Sequence, residues 1–374
     1  MGKRYAVALS AAAAVLAGLL GACSSGSPSA APQMSSSDAA ELNPNLDLGS
    51  SLGNRAAPDI RLENQFGQPM TLSQFRGKVV LLSFEDSECT TVCPLTTQSM
   101  LEAKQLLGAA GEHVQLLGVD ANPDATAVSD VLSYSRVHGM VNQWDFLTGS
   151  LAQLKATWKD YDIAVQIEQG QIDHTPALFV IDSHGRERKL YLTQMAYSSV
   201  GQSAEVLAEE VSSLLPGHPR VASQESLAAI PAQGPAEHVT LRSADSGGTV
   251  SLGPGQPRLV MFFATWLSEV GDLKTQLLAG NAYAAAAKAK GLPQLTAVDE
   301  TVVEPSEQVV RSYLGGVGTL GYPVGLDTTG RVADGYQVQD QPWFTLVSAS
   351  GKIIWSHDGW LSLSSLESAV KHAK

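Results

Sequence analysis

Residues 79–94 read VVLLSFEDSECTTVCP. The apolar, β-branched start of this stretch predicts a buried strand, and a short polar segment with two cysteines leads from it into a helix. Proline suits the first position of a helix because its missing N–H would have no partner there, so Pro94 places Cys93 at or beside the helix N-cap. A strand, a loop and a helix in this order predict the start of an α/β unit.

The same order of segments occurs a second time along the chain. Residues 259–263 repeat the buried strand as LVMFF, and residues 116–120 and 295–299 predict a further buried strand in each copy. Near the end of each copy, residues 176–186 match residues 342–352 in spacing. Strands that alternate with helices imply a central sheet covered on both faces. The predicted fold class is therefore α/β, with two tandem domains that each hold a central mixed sheet flanked by helices.

Composition divides the 374 residues into five segments. Residues 1–22 have the basic start and apolar run of a secretory signal peptide, and the Ser/Ala/Pro-rich residues 23–52 predict a flexible tether. Residues 53–216 and 237–374 carry the two copies of the repeat, each opening with an alternating pattern that predicts a hairpin. The Ala/Pro/Gly-rich residues 217–236 predict a linker between the two copies.

The end of the signal peptide determines where the chain is expected to work. Residues 20–23 read LGAC, which resembles the lipobox of bacterial lipoproteins. This resemblance implies that Cys23 is lipidated and anchors the chain in membrane lipid on the outer face of the bacterial cytoplasmic membrane. The alternative is an ordinary small-residue cleavage site. Outside the cytoplasm no glutathione pool keeps thiols reduced, so a cysteine pair there is a disulfide, a metal site or a maintained redox centre.

The charge balance excludes one class of partner. The chain has 24 Lys and Arg against 37 Asp and Glu, a formal net charge of −13, and no long basic run. A surface that tracks phosphates needs clustered Lys and Arg side chains. We therefore expect no nucleic acid partner.

Cys89 and Cys93 are the reactive pair of the mature chain. Their spacing allows either a disulfide or the binding of one metal ion by two sulfurs, and soft thiolates favour copper or zinc. An iron–sulfur cluster is excluded because it needs four ligands. A third ligand would be a histidine, and His174 leads directly into a buried strand near the strand end that carries Cys89. The other histidines are less suited by position, namely His113, His138, His184, His218, His238, His357 and His372.

Several ordered motifs then point to a known family. They are CTTVCPLTT at 89–97, GVD at 118–120, WDFLTG at 144–149, YDIAV at 161–165 and the pair Asp173-His174. In this order they resemble the Sco (SenC/PrrC) family, whose members are membrane-tethered thioredoxin-like proteins, over about residues 56–215. The resemblance implies a thioredoxin-like fold for this copy of the repeat.

The resemblance also implies a ligand set and a function. Cys89, Cys93 and His174 would bind one copper ion per chain, and the protein would support assembly of a copper site such as that of cytochrome c oxidase. The expected partner is a copper-acceptor protein such as an oxidase subunit, and the expected role is that of a metallochaperone rather than an enzyme.

Two other functions stay open on the same residues. Pro176 resembles the cis-proline of thioredoxins, which favours a thiol-disulfide oxidoreductase that uses the Cys89/Cys93 dithiol and is served by a thiol reductant protein. The second alternative is a non-catalytic tethered interaction protein in which these cysteines form a structural disulfide.

The second copy of the repeat has lost these reactive groups. Residues 262–270 read FFATWLSEV and resemble the active-site segment of thioredoxin-like reductases, with Leu267 and Val270 in place of its two cysteines. Pro342 fits the cis-proline position. Without a thiolate or an imidazole, neither disulfide exchange nor the three-ligand metal site is expected there. We expect this degenerate thioredoxin-like domain to be structural or to bind a partner.

Overall fold

The computed structural model describes most of both copies of the repeat. The predicted signal peptide, the lipidation site Cys23 and Val270 lie outside the described residues. Within the described ranges, none of the helices has the length and the apolar run needed to span a bilayer. The described residues are 43, 46–89, 92–168, 171–192, 200–222, 227, 238–245, 247–269, 272–338 and 341–372.

Strands and helices alternate through both copies. The strands are β1 (Ser50–Ser51), β2 (Arg61–Glu63), β3 (Pro69–Thr71), β4 (Val79–Glu85), β5 (Val114–Asp120), β6 (Asp145–Leu147), β7 (Val165–Glu168), β8 (Gln171–His174), β9 (Ala177–Ile181), β10 (Glu187–Leu192), β11 (Val239–Ser243), β12 (Thr249–Leu252), β13 (Arg258–Phe263), β14 (Gln294–Asp299), β15 (Val324–Leu326), β16 (Trp343–Val347) and β17 (Ile353–Asp358). The α-helices are α1 (Val92–Leu106), α2 (Val128–Val137), α3 (Leu151–Asp160), α4 (Val200–Leu214), α5 (Leu273–Lys290), α6 (Glu307–Val317), α7 (Arg331–Gly335) and α8 (Leu363–His372). Short 3₁₀ segments lie at Leu72–Phe75, Gly108–His113, Thr265–Glu269 and Thr301–Val303.

The first sheet has the strand order β1-β10-β9-β4-β5-β6. Strands β4, β5 and β6 are parallel, whereas β9 is antiparallel to β4 and β10 is antiparallel to β9. Every side chain of β4 is buried. This burial explains the unbroken apolar pattern of β4, because a strand covered on both faces has no solvent side to require polar residues.

The second sheet repeats this arrangement. Its order is β12-β11-β15-β14-β13-β16-β17, with β13, β14 and β15 parallel and β16 antiparallel to β13. The strands β17-β16-β13-β14-β15 therefore correspond to β10-β9-β4-β5-β6 in order and direction. The predicted fold class, two tandem α/β units with mixed central sheets, is confirmed.

The two predicted hairpins are present but differ in position. The hairpin β2–β3 is a separate two-stranded sheet, whereas β11–β12 extends the second sheet beside β15. The end of the predicted tether is also part of the fold, because Ser50–Ser51 pair with β10. Backbone hydrogen bonds at a sheet edge need no apolar periodicity, so composition alone did not reveal this strand.

Helices cover the first sheet on both faces. On one face α1 packs against α4, and Met100 and Leu207 lie in a common apolar cluster. On the other face α3 contributes Leu154 and Trp158 to a second cluster. The sheet is thus held between two apolar layers, and the carboxyl ends of its parallel strands stay open for the site.

The two copies pack against each other within one compact unit, residues 41–374. Val200, at the start of α4, belongs to an apolar cluster that otherwise consists of buried residues of the second copy. Leu95 of α1 and Val137 of α2 pack against the same cluster. The predicted domain limits and the linker, which lies partly outside the described residues, remain predictions.

Candidate metal and thiol site

The site lies where two neighbouring parallel strands end. Glu85 and Asp120 are the last residues of β4 and β5 and are paired in register, so both lie at the same edge of the sheet. The loop after β4 carries Cys89, and α1 begins at Val92 with Cys93 in its first turn. Carboxyl ends of parallel strands are the usual position for a functional site in an α/β fold.

The structure brings the three predicted ligands together. The Cys93 Sγ lies 3.8 Å from the His174 Nε2. The backbone N–H of Cys93 donates to the Cys89 Sγ at 3.4 Å, and both cysteines are thiols. In the part of the chain that the structure describes, no group of three or more His, Cys, Asp or Glu side chains already has metal-binding geometry. The residues are therefore neighbours, and copper binding by them is a proposal argued below.

His174 is oriented as a nitrogen ligand. It is the last residue of β8, and the hairpin β7–β8 carries it to the cysteines. Its Nδ1–H donates to the Thr175 carbonyl oxygen at 3.2 Å, which leaves the Nε2 lone pair on the side of Cys93. Burial lowers the pKa of His174, so the ring stays neutral. A neutral imidazole with its second nitrogen bonded to a carbonyl is the form in which histidine binds metals.

The expectation of a cis-proline at Pro176 is wrong. Across the described residues, the cis peptide bond is Gln341–Pro342, and the bond before Pro176 is trans. The Thr175 N–H donates to the Ala164 carbonyl oxygen at 2.9 Å, and the Ala177 N–H donates to the Thr175 carbonyl oxygen at 2.8 Å. These two bonds hold the chain in a turn between β8 and β9, an arrangement that the proline spacing alone did not reveal.

A cysteine at a helix N-terminus is expected to have a lowered thiol pKa, and Cys93 does not follow this expectation. Cys93 is buried, and burial, followed by the neighbouring Cys89 and Glu85, raises the pKa of its thiol well above the usual range. The backbone N–H of Cys93 points to the Cys89 sulfur. Desolvation therefore outweighs the helix terminus at Cys93.

Glu85 is a site residue that the sequence analysis missed. It is 1% exposed, it lies beside the Cys93 thiol, and burial raises the pKa of its carboxyl well above the ordinary value. A buried carboxyl that favours its protonated form therefore lies beside the second cysteine. The available signal was an acidic residue at the end of an otherwise apolar buried strand, which is rare without a specific role.

Asn122 fixes the loop that carries the first cysteine. It is fully buried, and its Nδ2 donates to the Asp86 Oδ1 at 2.7 Å and to the Glu88 Oε2 at 3.3 Å. Its Oδ1 accepts from the backbone N–H groups of Asp124 and Ala125. One side chain thus joins the loop after β4 to the loop after β5. The sequence alone does not reveal this link, because it joins segments that are distant in the chain.

The corresponding region of the second copy is packed rather than open. Trp266 and Leu267 are 5% and 6% exposed and belong to the apolar cluster shared with the first copy. The Glu304 carboxylate accepts from the Thr265 hydroxyl at 2.7 Å and from the Thr265 backbone N–H. An aliphatic side chain at Leu267 supplies neither a nucleophile nor a ligand.

Comparisons with known proteins agree with the resemblance. The SCO1/SenC family model matches residues 50–212. The SCO1 protein homolog of Bacillus subtilis (strain 168) is 25% identical over 134 residues, which are 34% of this chain and 69% of that protein.

Solved structures of Sco proteins are also similar to this chain. The apo Sco1 protein from Thermus thermophilus is 27% identical, with a TM-score of 0.39, over 45% of this chain and 96% of that one. Bradyrhizobium japonicum ScoI with copper bound is 19% identical, with a TM-score of 0.37, over 43% of this chain and 99% of that one. The segment that carries Cys89, Cys93 and His174 is therefore similar to the SCO1/SenC family, whereas residues 213–374 lie outside the family match.

Proposed function

We propose that this chain is an extracytoplasmic copper-binding protein that carries copper as cargo. Cys89, Cys93 and His174 bind one copper ion per chain and pass it to an acceptor protein, such as a subunit of a cytochrome c oxidase under assembly. The observation that carries the proposal is the approach of the Cys93 Sγ to the His174 Nε2 at 3.8 Å, with the Cys89 sulfur beside the same helix start.

The donor set fits copper. Two thiolate sulfurs are soft ligands that suit Cu(I), and one imidazole nitrogen suits copper in either oxidation state. His174 is buried and neutral, with its Nδ1 occupied by the Thr175 carbonyl oxygen. The match of residues 50–212 to the SCO1/SenC family supports the proposal, because the resemblance to that family implies this ligand set.

Loading and release follow from the protonation and redox state of the cysteines. Both thiols must lose a proton when they bind the metal, so binding releases protons and weakens at low pH. An oxidised Cys89–Cys93 pair holds no copper until a thiol reductant protein supplies two electrons and solvent supplies two protons. Release to the acceptor is a ligand exchange in which acceptor thiolates replace those of Cys89 and Cys93.

The predicted lipid anchor would place the protein at the membrane where this function is needed. Lipidated at Cys23, the mature chain would be held in membrane lipid on the outer face of the bacterial cytoplasmic membrane. A tethered donor meets a membrane-embedded acceptor at a raised effective concentration. The anchor therefore supports delivery to a membrane oxidase.

One observation favours a thiol-disulfide oxidoreductase as the second candidate function. Cys89 is half-buried whereas Cys93 is 1% exposed, which is the asymmetry expected of an attacking and a resolving thiol. The Cys89 thiolate would attack a substrate disulfide and release one substrate thiolate. Cys93 would then attack the Cys89 sulfur, release the second substrate thiolate and leave the chain oxidised. A structural Cys89–Cys93 disulfide is the remaining alternative.

An anaerobic copper titration of the reduced chain without residues 1–23 tests the proposal. We expect one copper per chain with thiolate charge-transfer absorption, loss of binding in the Cys89→Ser/Cys93→Ser double variant, and at least about tenfold weaker binding in His174→Ala. His184→Ala is the matched control, because His184 is an exposed histidine of the same copy.

Copper binding that survives the loss of both cysteines would overturn the proposal. The reduction potential of the cysteine pair would then separate the two alternatives. A value below about −300 mV indicates a structural disulfide, and a higher value indicates an exchanging dithiol.

A further inference from the structure

The second copy contacts the first copy through the region that corresponds to its own lost active site. Trp266 lies in the 3₁₀ segment that follows β13, and Thr301–Val303 follows β14. Trp266 faces His138 at the end of α2, and Thr301–Val303 lies beside His138 and contacts α1. The region that would hold a dithiol in a thioredoxin-like reductase is thus occupied by another part of the same chain.

His138 lies at the centre of this contact. It follows α2, is 5% exposed, and its ring is 5.6 Å from the Trp266 ring in an edge-on arrangement. The ring also lies beside the Val303 backbone, and its Nδ1 has no hydrogen-bond partner. Burial lowers the pKa of His138 to about 4, so a neutral ring is packed between the two copies.

A short series of contacts connects His138 to Cys93. The His138 ring stands 4.3 Å from the Tyr134 ring, centroid to centroid. The Tyr134 hydroxyl bonds the Thr97 hydroxyl at 3.1 Å, and Thr97 lies one helical turn after Cys93 in α1. Tyr134 and Cys93 also belong to the same apolar cluster. A change in the position of His138 therefore bears on the helix that holds the second cysteine.

We propose that His138 is a positioning residue through which the second copy holds α1, and with it Cys93, in place. The second copy is an internal clamp that contributes no ligand and no nucleophile. It supports the thiol site through Trp266 and the Val303 backbone, which lie beside His138. The part of this inference that concerns copper rests on the proposed function, whereas the part that concerns the reactivity of Cys93 does not.

The test measures Cys93 with and without copper. In a Cys89→Ser background, the rate of Cys93 alkylation by iodoacetamide reports how firmly the thiol is held. In the chain with both cysteines, Cu(I) affinity is measured by competition with a chelator. We expect His138→Ala to raise the alkylation rate and to lower the Cu(I) affinity, each about tenfold. His138→Gln keeps a polar N–H group beside the Val303 backbone and should stay within about threefold of the unmodified chain.

His357→Ala is the matched control. His357 stacks on Trp355 at 5.8 Å within the second copy and lies on β17, so its loss removes a histidine–tryptophan pair without touching the contact between the copies. We expect neither readout to change in this variant. If His138→Ala fails to fold, Trp266→Phe alters the same contact with a smaller loss of volume and should shift both readouts in the same direction.

Two results would overturn the clamp. One is that His138→Ala leaves both the Cys93 alkylation rate and the Cu(I) affinity unchanged. The other is that His138→Ala changes these two quantities no more than His357→Ala does. If copper binding proves independent of the cysteines, the proposed function fails, and the alkylation rates alone still decide the role of His138.

Discussion

At the scale of single residues, burial sets the protonation of the groups around the cysteines. The pKa of the Cys93 thiol and that of the Glu85 carboxyl are raised, and the pKa of His174 is lowered, with burial as the largest cause for each. These three groups therefore favour their uncharged forms before copper is loaded. Copper has to displace thiol protons, which favours transfer over permanent retention.

Buried carboxyls in the second copy make stability depend on pH. Burial, followed by the charge of Asp327, raises the pKa of Glu300 from 4.5 to about 8. Between these pH values the folded chain holds a proton that the unfolded chain releases, so the free energy of unfolding falls as pH rises through this range. A variant without the Glu300 carboxyl should lack this decrease in the free energy of unfolding.

We therefore expect Glu300→Gln to be more stable than the unmodified chain at pH 8, by about 2 kcal/mol, and to differ little at pH 4.5. Urea unfolding at both pH values measures the difference. Glu367→Gln is the control, because Glu367 is a half-buried carboxylate that bonds Lys290 and has a lowered pKa. An equal decrease in stability from pH 4.5 to pH 8 in Glu300→Gln and the unmodified chain would contradict the burial argument.

At the scale of elements, loops and a hairpin assemble the site at the sheet edge. The loop after β4 brings Cys89, α1 brings Cys93, and the hairpin β7–β8 brings His174. The first of these loops depends on Asn122, which belongs to the loop after β5. The geometry of the site is thus a property of several connected segments.

Loss of Asn122 should loosen the loop that carries Cys89. In Asn122→Ala the Asp86 and Glu88 carboxylates each lose a hydrogen bond, and two backbone N–H groups lose their acceptor. We expect a loss of about 2–3 kcal/mol in the free energy of unfolding, measured by urea denaturation, and weaker Cu(I) binding. Asn122→Asp should be at least as unstable, because it places a third carboxylate beside the other two. Unchanged stability in both variants would show that the loop is held by other contacts.

At the scale of the whole molecule, the two copies form one compact unit through close contacts. Gly139 shows how close they are. Its φ is +70°, and a Cβ placed on it would lie 2.9 Å from the Pro305 Cβ of the second copy. A glycine there satisfies both the left-handed backbone and the approach of the other copy.

Because of the contact between Gly139 and Pro305, we expect alanine at two glycines to lower the stability of the chain by different amounts. Gly108 has a φ of +54°, and a Cβ on it would meet nothing within 4 Å. Gly108→Ala should therefore cost about 1 kcal/mol from backbone strain alone. Gly139→Ala should cost about 3 kcal/mol, since the clash with Pro305 adds to the strain. Thermal unfolding of both variants measures the difference in their loss of stability. Equal losses in Gly108→Ala and Gly139→Ala would mean that the two copies separate easily.

Local pattern was enough to predict the repeat and the candidate ligands. The apolar runs of β4 and β13 and the order of strands and helices determined both mixed sheets, because a strand covered on two faces must be apolar throughout. The positions of Cys89, Cys93 and His174 beside strand ends predicted that they meet, since these ends share one edge of a sheet.

Only the tertiary structure decided the environment of those residues. The raised pKa of the Cys93 thiol, the buried Glu85 carboxyl, the trans bond before Pro176 and the place of His138 between the copies depend on which distant segments pack together. Spacing along the chain reports the periodicity of single elements. Desolvation and contact between elements arise only when the chain is folded, because they are set by neighbours that are far away in sequence.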